Sequence, residues 1–448
     1  MIQSQHGLTE KNIGGRGMNI GLFTDTYYPQ ISGVTTSVRI LEKELNKLGH
    51  RVYIFTTTDP EVEYSLPRVF RLPSMPFVFF PERRFTFVYP PRLLVNLKSL
   101  KLDIVHTQTE FSIGIFGKIV AEYNRIPIVH TYHTMYQDYV HYIAGGHLVT
   151  PNMVRKLTRI VCNRTQEVIA PSEKTRDYLT ELGVVRPINT VPTGMDFAQF
   201  AKANFTAEQV AKTKASLGIG ETDPVIVTVG RVAKEKSMDV LVRQMPELLA
   251  DMPGLKLLIV GDGPVRAGLE DLAGYLGVRN SVIFAGAVPW DKVALYYQLG
   301  DVFANACTTD TQGLTYVEAI AGGIPVIVKT DKAVEGVISH RKTGFCFERD
   351  EDAASVMRYA LNHPEEAKAV SERAIKAVDY LSAARFAQNV EEIYERAIAD
   401  KNEKKGKRVR KSKRVKKNKA AKKVKIKRKV RRKKRKSEPQ TPENGIKD

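Results

Sequence analysis

Short apolar runs alternate with amphipathic stretches along most of the chain. MNIGLFT at 18–24 has the continuous hydrophobicity of a buried strand, and from about 33 to 48 the apolar positions recur at helical spacing. Strands are again predicted over 51–57, 103–106 and 127–130, with a helix over 113–123. A second series starts at Pro224, where PVIVTVG, LKLLIVG, SVIFAG, DVFANA and PVIVKT are separated by further helical patterns. Strands that alternate with helices form parallel, doubly wound sheets. The predicted fold class is therefore α/β, with two Rossmann-like doubly wound domains facing a cleft and a disordered basic C-terminal tail. The expected divisions are 1–17 outside the fold, a first domain over 18–195, a second over 196–384 entered through a linker at about 196–222, a helix at 385–400 packing back across that linker, and the tail at 401–448. Ligands of such sheets sit beyond the carboxyl ends of the strands, so both domains direct their sites into the cleft.

Length agrees with this division, since 448 residues exceed what one ordinary core organises. Charge changes the picture more. The net charge is +20, but residues 401–448 hold 25 of the 69 Lys and Arg with only four acids, so the tail carries +21 and the remainder −1. A tail so poor in apolar residues cannot offset its ordering entropy and is expected to be disordered when free. No apolar run is long enough for a membrane-spanning helix, and the N-terminus lacks the basic, apolar and small-residue order of a signal peptide, so a cytoplasmic location is expected. The run GGRG before Met18 is what a purine-rich ribosome-binding site gives when read in frame, which makes Met18 the expected start. Cys162, Cys307 and Cys346 are scattered in apolar sequence without metal-ligand spacing and are expected to be reduced packing residues.

The candidate chemistry lies at strand ends. Ser32 and Gly33 make the turn after the first strand. Glycine there lets the backbone approach a ligand and the following helix N-terminus favours an anion, although a plain tight turn has the same sequence. Arg231 and Lys236, in VGRVAKEKS, bring two cations to one strand end, as a diphosphate requires; a solvated surface pair is the alternative. Gly261 and Gly263 of GDGP end the next strand and again permit close approach to a nucleotide, but this is not the G-x-G-x-x-G of dinucleotide sites. In TTDTQGLTYVEA, Asp310 and Glu318 flank Gly313 and Leu314. The N–H groups at that helix start would meet a phosphate while the acids accept from sugar hydroxyls. Otherwise Asp310 is a helix cap and Glu318 a surface acid, though the apolar neighbours of Glu318 demand a partner for its charge. His130 and His133 end a first-domain strand, with Asp138 and His141 beyond; no closing set of metal ligands accompanies them, and His133 is the better candidate of the set to contact a sugar or phosphate, a purely structural histidine being the alternative.

As a set, the Gly33 loop, HTYHT, Gly-Arg with Lys five residues later, GDGP and the acid-x7-Glu pair resemble the GT-B retaining glycosyltransferases of the glycogen synthase-like and phosphatidylinositol mannosyltransferase-like group, over about Met18 to Asp400. FTDTYYPQISGV, HTQTEFSIG, HTYHTMYQDYVHYI and TQGLTYVEA are similar, more narrowly, to the bacterial 1,2-diacylglycerol 3-glucosyltransferases. The resemblance implies an acceptor and membrane-docking first domain and a nucleotide-sugar-binding second domain. It implies transfer of glucose from UDP-glucose to diacylglycerol with retention and without a divalent metal, for glycolipid or lipoteichoic acid anchor synthesis. By position, Arg231 and Lys236 would hold the UDP phosphates, Glu318 the ribose hydroxyls, and Asp310 and His133 the donor sugar; Gly33 would let its loop approach the phosphates and the acceptor. The first acid of the family motif is usually Glu; Asp310 is one methylene shorter, which bears on which hexose is used.

A diacylglycerol acceptor stays in the bilayer, so the enzyme must come to it. NMVRKLTRIVCNR at 152–164 sets Met153, Val154, Leu157, Ile160 and Val161 against Arg155, Lys156 and Arg159, the layout of an interfacial helix or of a core helix with a basic outer face. FVFFPERRFTFVYPPR at 77–92 mixes aromatics with Arg83, Arg84 and Arg92. The expected partners are a UDP-sugar, diacylglycerol or a glycolipid, and the anionic inner face of the cell membrane. A second-step hexosyltransferase acting on monoglucosyldiacylglycerol would use the same motifs. A nucleic-acid-binding protein acting through the tail is the alternative of another class, but the near-neutral body makes nucleic acid not the expected partner.

Overall fold

A computed structural model describes residues 17–30, 32–62, 66–77, 80–87, 89, 97–136 and 150–404, with only the backbone of 80–83. Arg83, Arg92, Asp138, His141 and the tail from 405 thus lie outside the described side chains.

The first sheet contains β1 (Asn19–Phe23), β2 (Arg51–Thr57) and β3 (Val69–Leu72); β4 (Met75–Phe77) and β5 (Phe80–Phe85) form a separate antiparallel hairpin. It continues through β6 (Ile104–Thr107), β7 (Ile128–Thr131), β8 (Glu167–Ala170) and β9 (Ile188–Thr190), in the order β3-β2-β1-β6-β7-β8-β9, and every pairing is parallel. Helices α1 (Gly33–Lys47), α2 (Ser112–Asn124), α3 (Pro151–Asn163) and α4 (Glu173–Glu181) connect its strands. The second sheet is built from β10 (Val225–Val229), β11 (Lys256–Val260), β12 (Val282–Gly286), β13 (Val302–Asn305), β14 (Val326–Lys329) and β15 (Phe345–Phe347), parallel in the order β12-β11-β10-β13-β14-β15. Its helices include α5 (Met238–Asp251), α6 (Arg266–Tyr275) and α7 (Leu314–Ala321).

Helices on both faces explain why the central strands read as unbroken apolar runs. Ile20, Leu22 and Phe23 of β1 and Val225 to Val227 of β10 have no exposed surface. Phe23 stacks on Phe55 with ring centroids 4.3 Å apart and meets Phe116 of α2 edge-on, which fixes α2 against β1 and β2. Cys162 and Cys307 are buried and Cys346 half-buried, all as free thiols. A helix that starts at 383 buries Ala387, Val390, Ile393 and Tyr394 and reaches the first sheet, where Glu391 Oε1 lies 2.9 Å from His50 Nε2 and Tyr394 Oη 2.7 Å from His106 Nδ1.

Candidate functional site

Strand order reverses in each sheet at one place, between β1 and β6 and between β10 and β13. The loops that follow these strands diverge there and leave a crevice at the carboxyl ends. The two crevices meet. Thr311 Oγ1, in the loop between β13 and α7, donates to the carbonyl of His133 at 2.9 Å. Gln312 exchanges two hydrogen bonds with the backbone of Thr193, accepting from its N–H at 2.7 Å and donating to its carbonyl at 3.0 Å. A side chain built at Gly33, the first residue of α1, would lie 3.7 Å from Leu314. The structure thus brings Gly33, His133, Asp310, Gly313 and Leu314 to one place.

Lys236 joins them through Asp310, its Nζ 2.6 Å from Asp310 Oδ1. Burial pushes the Asp310 carboxyl up, but the charge of Lys236 and its hydrogen bond, with the charge of Lys174, outweigh this and hold it below its usual range. Arg231 is half-buried on the same loop as Lys236, so neither cation is a freely solvated surface group. Asp310 does not cap α7 either; Gly313 does, at φ +72°, with Tyr316 packed so closely that a Cβ would meet its ring at 2.3 Å. Only glycine combines that φ with that contact. Glu318 is buried rather than a surface acid, and its partner is Tyr297, whose hydroxyl donates to Oε2 at 2.6 Å. Desolvation raises the Glu318 carboxyl to about 7 against the pull of that hydrogen bond.

Gly261 and Gly263 stand at the end of β11 for a packing reason. A Cβ at Gly261 would fall 1.9 Å from the Gly230 carbonyl and one at Gly263 2.3 Å from that of Val232. The turn GDGP therefore presses on the loop that carries Arg231 and sets its course, with Val232 N–H donating to Asp262 O at 3.0 Å.

His133 is half-buried, and its Nε2 lies 2.7 Å from Gln108 Oε1. Burial, with the neighbouring His130, lowers its pKa to about 3, so the ring is neutral at physiological pH. A neutral ring that donates from Nε2 keeps Nδ1 as an acceptor. Gln108 is missing from the sequence-based candidates, as are Asp25 and Glu110. Asp25, at the end of β1, accepts from Thr109 Oγ1 (2.5 Å), Ser112 Oγ and Ile113 N–H (2.9 Å), tying the first loop to the N-terminus of α2; burial nonetheless raises its carboxyl. Glu110 Oε1 lies 3.0 Å from His130 Nε2, and both side chains are buried. An acid or amide flanked by threonines reads locally as a turn, and its partners lie 20 to 88 residues away.

Of the basic residues proposed to face a membrane, Arg84 donates from Nε and Nη2 to Ser74 and is half-buried, whereas Arg155, Lys156 and Arg159 are exposed on α3. That helix buries its Thr158 and Cys162 edge. Its apolar residues Met153, Leu157 and Ile160 remain 57%, 50% and 40% exposed, unlike those of a core helix. Phe111, which precedes α2, and Ile115, Ile119 and Tyr123 on one face of that helix, at four-residue spacing, are likewise exposed. Among the described residues no helix is long and apolar enough to cross a membrane, and no group of three His, Cys, Asp or Glu is placed to hold a metal ion.

Two Rossmann-like parallel sheets that share a cleft at their switch points make this a GT-B protein. The chain belongs to the glycosyltransferases, matching the model of Glycosyltransferase Family 4 over residues 31–199 and that of Glycosyl transferases group 1 over 209–377. Among its relatives, the alpha-monoglucosyldiacylglycerol synthase of Streptococcus pneumoniae is 39% identical over 387 residues, covering 86% of this chain and 87% of the relative. The enzyme of the same name from Acholeplasma laidlawii is 36% identical over 397 residues, covering 87% and 99%. Among solved structures, Anabaena HepE in complex with UDP and glucose matches with a TM-score of 0.68 at 17% identity, over 84% of this chain and 99% of that one, a likeness of fold.

Proposed function

We propose that this protein transfers glucose from UDP-glucose to 1,2-diacylglycerol with retention, giving monoglucosyldiacylglycerol at the inner face of the cell membrane. The observation that carries this reading is the meeting of the Lys236–Asp310 pair with the His133 loop in one cleft, in a chain similar over most of its length to two alpha-monoglucosyldiacylglycerol synthases. Arg231 and Lys236 take the charge that develops on the departing diphosphate, which is the main electrostatic task of the transfer. Glu318 receives the ribose. Asp310 and the Nδ1 lone pair of His133 orient the glucose hydroxyls, and the loops of Gly33, Gly261 and Gly263 shape the space around the phosphates. The C1–O bond to phosphate breaks as the acceptor oxygen bonds to C1 on the same face, and the acceptor proton passes to the departing phosphate oxygen. UDP-glucose carries its sugar in the α configuration, so an α-glucoside is the product of retention.

Exposed apolar residues beside Arg155, Lys156 and Arg159 on α3, with the stripe on α2, support docking to an anionic bilayer, and the basic tail adds long-range attraction. Incubating the purified protein with radiolabelled UDP-glucose or UDP-galactose and with diacylglycerol or monoglucosyldiacylglycerol, in buffer containing EDTA, tests the reading. Chromatography should show labelled monoglucosyldiacylglycerol from UDP-glucose. Product only from the glycolipid acceptor reassigns the protein to the second step, product only from UDP-galactose changes the donor, and loss of activity restored by Mg²⁺ or Mn²⁺ rules out metal independence.

A further inference from the structure

The loop that carries Asp310 belongs to the second sheet but is held from the first. Lys174, in the first turn of α4, extends its Nζ to the carbonyls of Thr308 (2.6 Å) and Asp310 (3.3 Å) and to both carboxylate oxygens of Asp331 (2.9 and 3.0 Å). Ser172, the cap of α4, donates to the carbonyl of Thr311, and Thr311 in turn donates to that of His133. Asp331, just past β14, also accepts at Oδ1 from the N–H of Ala333 at 2.7 Å. An ammonium has three protons, and here three acceptor groups use them, so Lys174 has none left for a ligand. Its side chain and that of Asp331 are each only 16% exposed, so the pair is largely shielded from solvent.

We propose that Lys174 is a positioning residue that makes the presentation of Asp310 to the donor sugar depend on the first sheet being in place. The inference rests on the assignment of Asp310 to the donor sugar. Fixing the Asp310 carbonyl fixes where its side chain leaves the backbone, toward Lys236 and the cleft. The diphosphate is gripped by cations carried on the second sheet itself. With the first sheet drawn away, the second still binds the nucleotide but no longer orients the sugar, which also limits transfer to water before an acceptor arrives.

The full chain tests this in four forms: wild type, Lys174→Met, Lys174→Arg and the double variant Lys174→Met/Asp331→Asn, which leaves no stranded carboxylate and so protects folding. UDP affinity by calorimetry should weaken by no more than about twofold in any of the four. Turnover with UDP-glucose and micellar diacylglycerol should fall about 10²-fold in Lys174→Met and in the double variant, as for a reacting group displaced by an ångström. Lys174→Arg, which keeps the charge but not the compact ammonium, should recover to within about tenfold of wild type. Near-wild-type turnover in the double variant, or UDP affinity falling in step with turnover, would overturn the proposal. A substrate-free readout separates this from the assignment of function. Trp290, the single tryptophan, lies on the second-sheet side, with the guanidinium of Arg39 from α1 5.2 Å from its ring centroid. Acrylamide quenching of Trp290 should rise in the double variant as the sheets separate more readily. If the wild type glycosylates no lipid, the functional reading fails, while unchanged quenching refutes the holding role of Lys174 by itself.

Discussion

Lys236 Nζ lies 2.6 Å from Asp310 Oδ1, so the cation assigned to the diphosphate is already paired with the acid assigned to the sugar. A bound diphosphate must compete with that carboxylate. Asp310→Asn should therefore leave UDP affinity unchanged or several-fold tighter while turnover falls by about 10² or more, since the amide no longer attracts Lys236 but also no longer accepts as a carboxylate does. Calorimetry with UDP beside initial-rate kinetics checks it; weaker UDP binding contradicts it.

Arg231→Ala and Lys236→Ala should each lower turnover by about 10² or more, the scale of losing a charge that stabilises a departing anion. Near-wild-type rates in either folded variant would place the diphosphate elsewhere.

His133, with a pKa of about 3, should contribute no acid limb to the rate profile between pH 5.5 and 8. Its depressed value adds stability that is present above about 6.5 and is lost as the pH falls toward 3, because the folded state resists the proton that the unfolded chain accepts. Gln108→Glu would set a carboxylate against Nε2, raise the ring's pKa and bring a titration into the kcat/KM profile near neutrality. A profile identical to wild type would show that Gln108 does not govern this ring.

Glu318 acts in the opposite sense. Its carboxyl is raised from 4.5 to about 7, so the folded protein holds a proton that the unfolded chain releases across that interval. Stability should decline as pH rises from about 4.5 to 7, by at most about 3 kcal/mol, and then level off. Glu318→Gln, which keeps an acceptor for Tyr297, should flatten this dependence in urea titrations at pH 5, 6 and 7.

Leu157→Glu should weaken sedimentation with phosphatidylglycerol vesicles while activity on detergent-dispersed acceptor persists, since Leu157 is half exposed and touches solvent rather than core. Deletion of 401–448 should act in the same direction, most clearly at low salt, because attraction by the tail is screened. Equal vesicle binding by all three proteins would assign the tail to another partner, with RNA competition as the first check.

Much of the architecture was legible because each central strand is a local signal. MNIGLFT and PVIVTVG are buried on both faces, and the covering helices announce themselves by spacing. β8 and β9, EVIA and INT, escape the pattern because the first opens on the acid Glu167 and the second has Ile188 as its one apolar residue. The site divided along the same line. Arg231, Lys236 and Asp310 follow strands that the pattern identifies, so their meeting could be expected from topology. Lys174, Gln108 and Asp25 could not, because what defines them is a partner 25 to 157 residues away. The amphipathic pattern of 152–164 was read as one apolar and one basic side, yet the helix is seated on Thr158 and Cys162, and hydrophobicity alone does not reveal which edge a helix rests on.

The contact between His106 and Tyr394 bears on how the chain is made. His106 is in the middle of the first sheet and almost wholly buried, and one of its ring nitrogens is satisfied by a hydroxyl 288 residues further along. During synthesis, which runs at about 5–20 residues per second, every strand of the first sheet leaves the ribosome well before that hydroxyl exists. Until the second sheet and the helix after it have been added, the first sheet holds in its interior a polar group without that partner. A nascent chain stalled before 383 should accordingly show a first half open to protease, and release of the full chain should close it.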